Sequence, residues 1–229
     1  MYTTFQIALP MSWSAWILIF VYPAMLVAAL IKPIDVLTKR YPIIAQYSER
    51  IYTNTSTVRI IAVVNIILGA MLGIYTGVLL SSFVARPLWN SSILGILFLV
   101  SGLSSAAALV HMISKNVSER EMLAKADNVF LSLELVVLAL FIIGLLSSSA
   151  VQINAAKIIL SGPYAPFFWV FVICTGIVIP LFIQILAVSH KIRHTSVAPL
   201  LVLLGGLLLR FVIVYAGQYS EWTTTTLLK

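Results

Sequence analysis

Six continuous apolar stretches, separated by short polar breaks, run along this chain at about 12–32, 58–84, 92–114, 128–148, 166–188 and 197–217. A helix of ~20 residues crosses the ~30 Å hydrocarbon core of a bilayer, so each stretch predicts a transmembrane helix. Continuous runs argue against an outer-membrane barrel, whose strands alternate polar and apolar positions over roughly ten residues. The expected fold is an all-α integral membrane helix bundle of about six transmembrane helices, a single domain over residues 1–229 without a tandem repeat. The longest polar connection, about 33–57, reads as partly amphipathic and helical. The opening string MYTTFQIALPMSW has no basic segment and no small-residue cleavage site after it, so the first apolar run reads as a retained helix.

Basic residues give the bundle a direction, because Lys and Arg accumulate in cytoplasmic loops. Lys32, Lys39, Arg40, Arg50, Arg59, Lys115, Arg120, Lys125, Lys191 and Arg193 fall beside the first, third and fifth connections, whereas Arg86, Lys157 and Lys229 fall on the other side. Both termini are therefore expected on the outer face of a prokaryotic cytoplasmic membrane. Trp13, Trp16, Trp89, Trp169, Tyr215 and Trp222 stand near span ends at the outer headgroup level, where amphipathic rings settle.

Composition agrees with a lipid solvent: 61% of the 229 residues are hydrophobic and only 9% charged, against roughly a quarter charged in a soluble domain. The net charge of +7 is scattered over short loops and makes no basic face for nucleic acid. The single cysteine, Cys174, lies in an apolar run and excludes an internal disulfide or a cysteine-ligated cluster. His190 and His194 have a metal-ligand spacing but flank Lys191 and Arg193 without an acidic third ligand, which reads as a solvated basic loop. No metal, haem or iron–sulfur centre is expected in this chain.

Ionisable groups at bilayer depth cost at least ~2.5–3.5 kcal/mol on insertion scales, so they are where function is sought. Glu134 lies in the middle third of the fourth span, with no compensating charge near it in sequence. Asp127 precedes it by seven residues, two turns, so both carboxylates project from one face about 10 Å apart. Carboxylates stacked in this way can pass a proton through intervening water; the plain alternative is a helix-start aspartate and a neutral acid bonded to a neighbouring helix. His111 sits near the end of the third span and joins the candidate proton path or serves as a structural helix-end histidine. Arg210, in GGLLLRFVIVYAGQ, can snorkel only partly toward the outer face. The small-residue string SGLSSAAA at 101–108, with Gly205 and Gly206, reads as close helix packing. There is no inverted repeat and no matched pair of broken helices to suggest a secondary transporter.

Four strings in order, YTGVLLSSFVARPLWN at 75–90, ILGILFLVSGLSSAAAL at 93–109, the Asp127 and Glu134 pair, and GGLLLRFVIVYAGQ at 205–218, resemble the NrfD-type membrane subunits, which include the polysulfide reductase membrane subunit. The resemblance implies a quinone-reactive membrane anchor that uses menaquinone or another quinone and carries no metal of its own. It also implies an outer ferredoxin-like iron–sulfur subunit, which relays electrons to a molybdopterin catalytic subunit or to a multihaem cytochrome. Carried over residue by residue, Tyr75 matches the tyrosine against the quinone head group, where a phenol can hydrogen-bond a carbonyl and its ring supplies a flat wall. Arg86, Trp89 and Asn90 form the outer loop that an electron-delivering cluster would approach, and Arg86 there can face an anionic partner. Asp127, Glu134, His111 and Arg210 fall where such proteins are thought to carry protons. In one respect the chain departs from the family. Members usually begin with two further helices, the first of which gives an asparagine and a histidine to the quinone pocket, while this sequence opens at a string resembling the third helix. The start has been shortened, a separate two-helix polypeptide supplies the pair, or this version anchors and conducts without the usual quinone site.

Overall fold

A computed structural model describes residues 10–31, 42–83, 85–114, 116–189 and 196–220. His190, Lys191, Arg193 and His194, the basic residues Lys32, Lys39, Arg40 and Lys115, and Trp222 and Lys229 lie outside them, as do both termini. All the regular structure among the described residues is helical. The chain divides into two compact units, Met1–Tyr75 and Thr76–Lys229.

The first unit holds α1 (Pro10–Ile31), α2 (Pro42–Thr53) and most of α3 (Thr55–Ser81). The polar connection expected to be amphipathic is α2, packed against α1. Ser48 on α2 donates to the Ile31 carbonyl at the end of α1 (3.1 Å), satisfying one of the acceptors that every helix terminus leaves open. Asn54 separates α2 from α3, and its side chain accepts from the Thr57 N–H (3.4 Å) while its carbonyl accepts from Val58 (3.1 Å). It thus caps α3 as Asn does at helix starts. Asn65 Nδ2 reaches from α3 to the Ala24 carbonyl of α1 (3.3 Å) and to its own Ile61 carbonyl (2.9 Å). Otherwise α3 is an apolar rod: none of its most apolar stretch is buried.

The second unit is built from α4 (Ile93–Ile113), α5 (Val117–Leu146), α6 (Ala150–Leu160), a π-helical segment (Phe167–Val178) that runs into α7 (Ile179–Val188), and α8 (Val197–Tyr219). Here α4 packs along α5 and α8, α8 along the π-helical segment, and α7 against α5. Leu97, Leu131, Phe141, Phe168 and Leu209 fill the common core. Asn116 caps α5, its side chain accepting from the Ser118 N–H (3.2 Å), so α5 starts at Val117, eleven residues before the predicted span, and its first turns are polar. The connection after α5, expected as a loop, contains α6, whose eleven residues make a rod of about 16 Å, too short to cross a bilayer. In the π-helical segment the Ile179 N–H bonds to the Cys174 carbonyl and Thr175 Oγ1 to the Val170 carbonyl (2.8 Å), both five residues back. Such wide turns open space beside a helix and recur at functional positions. Gly176 of this segment meets Gly205 of α8 so closely that a Cβ on Gly205 would lie 2.3 Å from the Gly176 Cα. The glycine pair thus sets the helix spacing as small residues do in membrane bundles.

Five described helices are long and apolar enough to cross a membrane: α3, α4, α5, Phe167–Val188 and α8. They account for the second to sixth predicted spans. The first appears as α1, whose apolar part, Trp16–Ile31, belongs with Ala150–Leu160 among the shorter apolar helices.

Candidate functional site

The loop between α3 and α4 winds as two successive turns, Arg86 N–H to Phe83 O and Trp89 N–H to Arg86 O, both 3.1 Å. This folds Arg86 and Trp89 onto the end of α8. Arg86 Nη1 donates to the carbonyls of Gln218 and Ser220, the latter at 3.1 Å. A cation there satisfies open acceptors and faces the negative end of the helix dipole. Trp89 is buried, its Nε1 donating to the Ile213 carbonyl (2.9 Å), with the Phe83 ring set edge-on at 6.0 Å. That approach requires Gly217, because a Cβ at this position would fall 1.8 Å from Trp89 Nε1. Asn90 exposes its side chain, and its carbonyl accepts from Gln152 Nε2 of α6 (3.1 Å). Three of the four residues predicted to face a quinone are thus gathered on one loop, and two of them hold the end of α8. Tyr75, the last residue of the first unit, has its ring buried, 8% exposed.

The predicted proton-path residues lie inside the second unit. Asp127 is fully buried, and each of its oxygens accepts one hydrogen bond: Oδ1 from Ser104 Oγ on α4 (2.7 Å), Oδ2 from Gln184 Nε2 on α7 (2.6 Å). Three helices therefore meet at one carboxylate. Two turns along α5, Glu134 is 3% exposed, with Ser101 of α4 and Arg210 of α8 beside it. The charge absent from its sequence neighbourhood comes from a helix 76 residues later. The Arg210 side chain does not reach toward the C-terminal end of α8. Its Nη1 turns back to the Gly206 carbonyl (2.9 Å) and its Nη2 to the Phe98 carbonyl of α4 (3.4 Å), with the guanidinium 5.8 Å from the Phe98 ring centre. A carboxylate, two carbonyls and an aromatic face inside the bundle outweigh snorkelling. Gly206 leaves room for this arrangement, since a Cβ there would fall 2.6 Å from Ser105 Oγ. His111 is buried on α4, two turns beyond Ser104.

Arg210 also borders the outside of the bundle. With Leu207, Phe211, Val214, Tyr215 and Gln218 it lines a groove of about 380 Å³ along one face of α8, in which the Phe211 and Tyr215 rings stack at 5.5 Å. Gln218, whose carbonyl accepts from Arg86, closes the groove at the loop end. Polar groups thus follow one another through the apolar bundle from Asp127 through Glu134 to Arg210 and the groove, with His111 two turns from Ser104 along α4.

Ser104, Ser101 and Gln184 are the members that the sequence reading missed. The serines belong to a small-residue string that reads as packing, and Gln184 is a single amide in IPLFIQILAV, where a polar side chain in an otherwise apolar span is the available signal. Among the described residues no three His, Cys, Asp or Glu side chains form a metal-binding group.

The model of the family described as polysulphide reductase, NrfD, matches residues 1–220. The chain belongs to the NrfD family. Protein NrfD homolog of Haemophilus influenzae is 34% identical over 171 residues, covering 70% of this chain and 53% of that protein. The C component of polysulfide reductase from Wolinella succinogenes is 32% identical over 180 residues (71% and 55%), and Protein NrfD of Escherichia coli 31% over 170 (68% and 52%). The chain thus spans about half the length of the curated NrfD relatives it matches. No solved structure matches it. Family and helices together make it a multi-pass membrane protein.

Proposed function

We propose that this chain is the quinone-reactive membrane subunit of a respiratory oxidoreductase complex in a prokaryotic cytoplasmic membrane, passing electrons between membrane quinone and an outer iron–sulfur subunit. The observation that carries the reading is Arg210, which stands between a buried carboxylate, Glu134, and a lipid-facing groove. Bound quinone or quinol would supply the redox chemistry, in which two electrons and two protons are exchanged.

The residues present suit such a ligand. Stacked aromatic rings offer a flat apolar wall, and Arg210 and the Gln218 side chain offer donors to ring carbonyls at two depths. Arg86 and Trp89 position the groove's outer end by gripping the last turns of α8, and the exposed Asn90 side chain is a further candidate contact to the ring. Proton movement falls to the chain's own groups: Arg210 orients Glu134, Ser104 and Gln184 orient Asp127, and His111 lies two turns from Ser104 along α4. Catalysis on a terminal substrate is assigned to partners, a molybdopterin subunit or a multihaem cytochrome beyond the ferredoxin-like protein. The name of the Wolinella relative describes one lettered component of a reductase and supports such an assembly. A separate two-helix polypeptide is proposed to cover α3, whose most apolar stretch is unburied among the described residues.

The test is quinol oxidation by the purified complex in lipid. Glu134→Gln and Arg210→Met are expected to lower turnover at least tenfold with assembly intact, and Phe211→Ala to weaken quinol binding. Wild-type turnover in all three variants would reduce the chain to a structural anchor.

A further inference from the structure

Gln184 is buried on α7, yet only one end of its amide is used. Nε2 donates to Asp127 Oδ2, whereas Oε1, equally buried, has no hydrogen-bond donor. A buried acceptor left unfilled is destabilising, so this arrangement holds where the Nε2 bond is strong, as it is to an ionised carboxylate. Asp127 matches that state on both sides, with Ser104 Oγ and Gln184 Nε2 each donating to a separate oxygen.

A protonated Asp127 presents a different face. It carries an O–H donor, and on the Gln184 side that hydrogen would meet the N–H hydrogens of Nε2. The two ends of a carboxamide are nearly the same size, and its terminal torsion is soft and two-fold. Half a turn therefore places Oε1 where Nε2 stood, and the unfilled acceptor gains a donor. Ser104 can accept as well, but its own hydrogen must then find another acceptor; Gln184 carries donor and acceptor in one plane.

We propose, building on the reading of Asp127 as a proton-carrying group, that Gln184 is a positioning residue that holds Asp127 in both protonation states by exchanging the two ends of its amide. In the ionised state Nε2–H donates to Oδ2, and in the protonated state Oδ2–H donates to Oε1. The proton stays on Asp127 while the amide turns, and no covalent bond of Gln184 changes. The contact between α5 and α7 then persists through a proton's arrival and departure, so the bundle need not open. The other buried or partly buried ionisable groups on the packed helices are Glu134 on α5, His111 on α4 and Arg210 on α8. The same elements also carry Glu119, Arg120 and the Glu121–Lys125 pair (2.8 Å) at the polar start of α5, Tyr215 and Tyr219 on the last turns of α8, Cys174 on the π-helical segment and Lys157 on α6. Beyond Gln184, α7 is apolar along its length.

The test is infrared difference spectroscopy between acidic and alkaline samples of the intact complex in lipid. The carboxylic band that vanishes in Asp127→Asn reports Asp127, and the amide carbonyl band that vanishes in Gln184→Met reports Gln184. Both bands are expected to change over the same pH range in the wild type, and the Asp127 band to shift in Gln184→Met. Carbon-13 labelling of glutamine side chains gives the assignment without Gln184→Met, as the labelled band whose pH dependence is lost in Asp127→Asn; this covers failure of Gln184→Met to assemble. An amide band that stays fixed while Asp127 titrates overturns the proposal, as does an Asp127 that does not titrate. The proton-carrying reading fails separately, when Asp127→Asn retains wild-type quinol oxidation and proton uptake.

Discussion

Two equally apolar helices of this chain, α3 and α4, treat the same solvent in opposite ways. In the first unit, α3 leaves its most apolar stretch wholly unburied and is tied to α1 by the Asn65 amide. In the second, half of the corresponding stretch of α4 is buried, and its polar residues reach Asp127 and stand beside Glu134. Hydropathy does not separate these helices, because lipid tails and leucine side chains are equally apolar. Within a bilayer, what distinguishes a packed helix from a bare one is small residues that admit close approach and polar groups that find partners. On α4 the SGLSSAAA string supplies both, while the apolar stretch of α3 has one amide and a Gly69 with open space around it, and close approach comes only near its end, where Gly77 meets Gly95.

The largest effect should come from removing the cation beside Glu134. Arg210→Met leaves that carboxyl without its neighbouring charge and removes the donors to the Gly206 and Phe98 carbonyls, charge-assisted bonds that together contribute roughly 3–5 kcal/mol. Denaturant unfolding of the purified protein in mixed micelles should show a loss of that size, partly recovered in the double variant Arg210→Met with Glu134→Gln. A double variant no more stable than Arg210→Met alone would mean that the two groups do not compensate each other.

Next in size is the contrast between cores. Leu97→Ala on α4 removes a fully buried side chain and should destabilise by about 2–4 kcal/mol. Ile66→Ala on α3, where the residue is 70% exposed, should fall within about 0.5 kcal/mol. Equal costs would show that α3 is covered in the assembled protein, and repeating both with and without partner subunits would reveal which subunit covers it.

Much of this architecture was legible in advance. The spans that became α3, α4, α5, Phe167–Val188 and α8 follow from the length of apolar runs, because a bilayer imposes one helix length on all of them. The short α6 was hidden because AVQINAAKIIL mixes small and polar residues and reads as a connection. The polar row was half legible: Asp127 and Glu134 share one helix, and their two-turn spacing is visible in the string. Their partners are not, since Ser104, Gln184 and Arg210 arrive from three other helices and pairing across helices leaves no local pattern. The family resemblance points Arg86 and Trp89 at a ligand and says nothing of their hold on α8. Their polar atoms bond carbonyls of its last turns, and for Trp89 that approach depends on Gly217 some 130 residues away in sequence.

That glycine gives a third prediction, intermediate in size and confined to the second unit. Gly217→Val forces a side chain into the Trp89 indole, and overpacking of this kind costs about 1–3 kcal/mol. The thermal midpoint in detergent should fall, and Trp89 fluorescence should move toward that of a solvent-exposed indole as the ring leaves its site.

The smallest effect isolates the indole hydrogen bond. Trp89→Phe keeps an aromatic ring in the same place and removes only the donor to the Ile213 carbonyl, worth about 0.5–1.5 kcal/mol. Because the ring is retained but smaller, the Gly217 contact should relax, and Gly217→Val combined with Trp89→Phe should cost less than the sum of the two single changes. Strict additivity in that cycle would place Gly217 and Trp89 in separate environments. The grip of the α3–α4 loop on α8, at the Gln218 end of the groove, would then need another source than this indole.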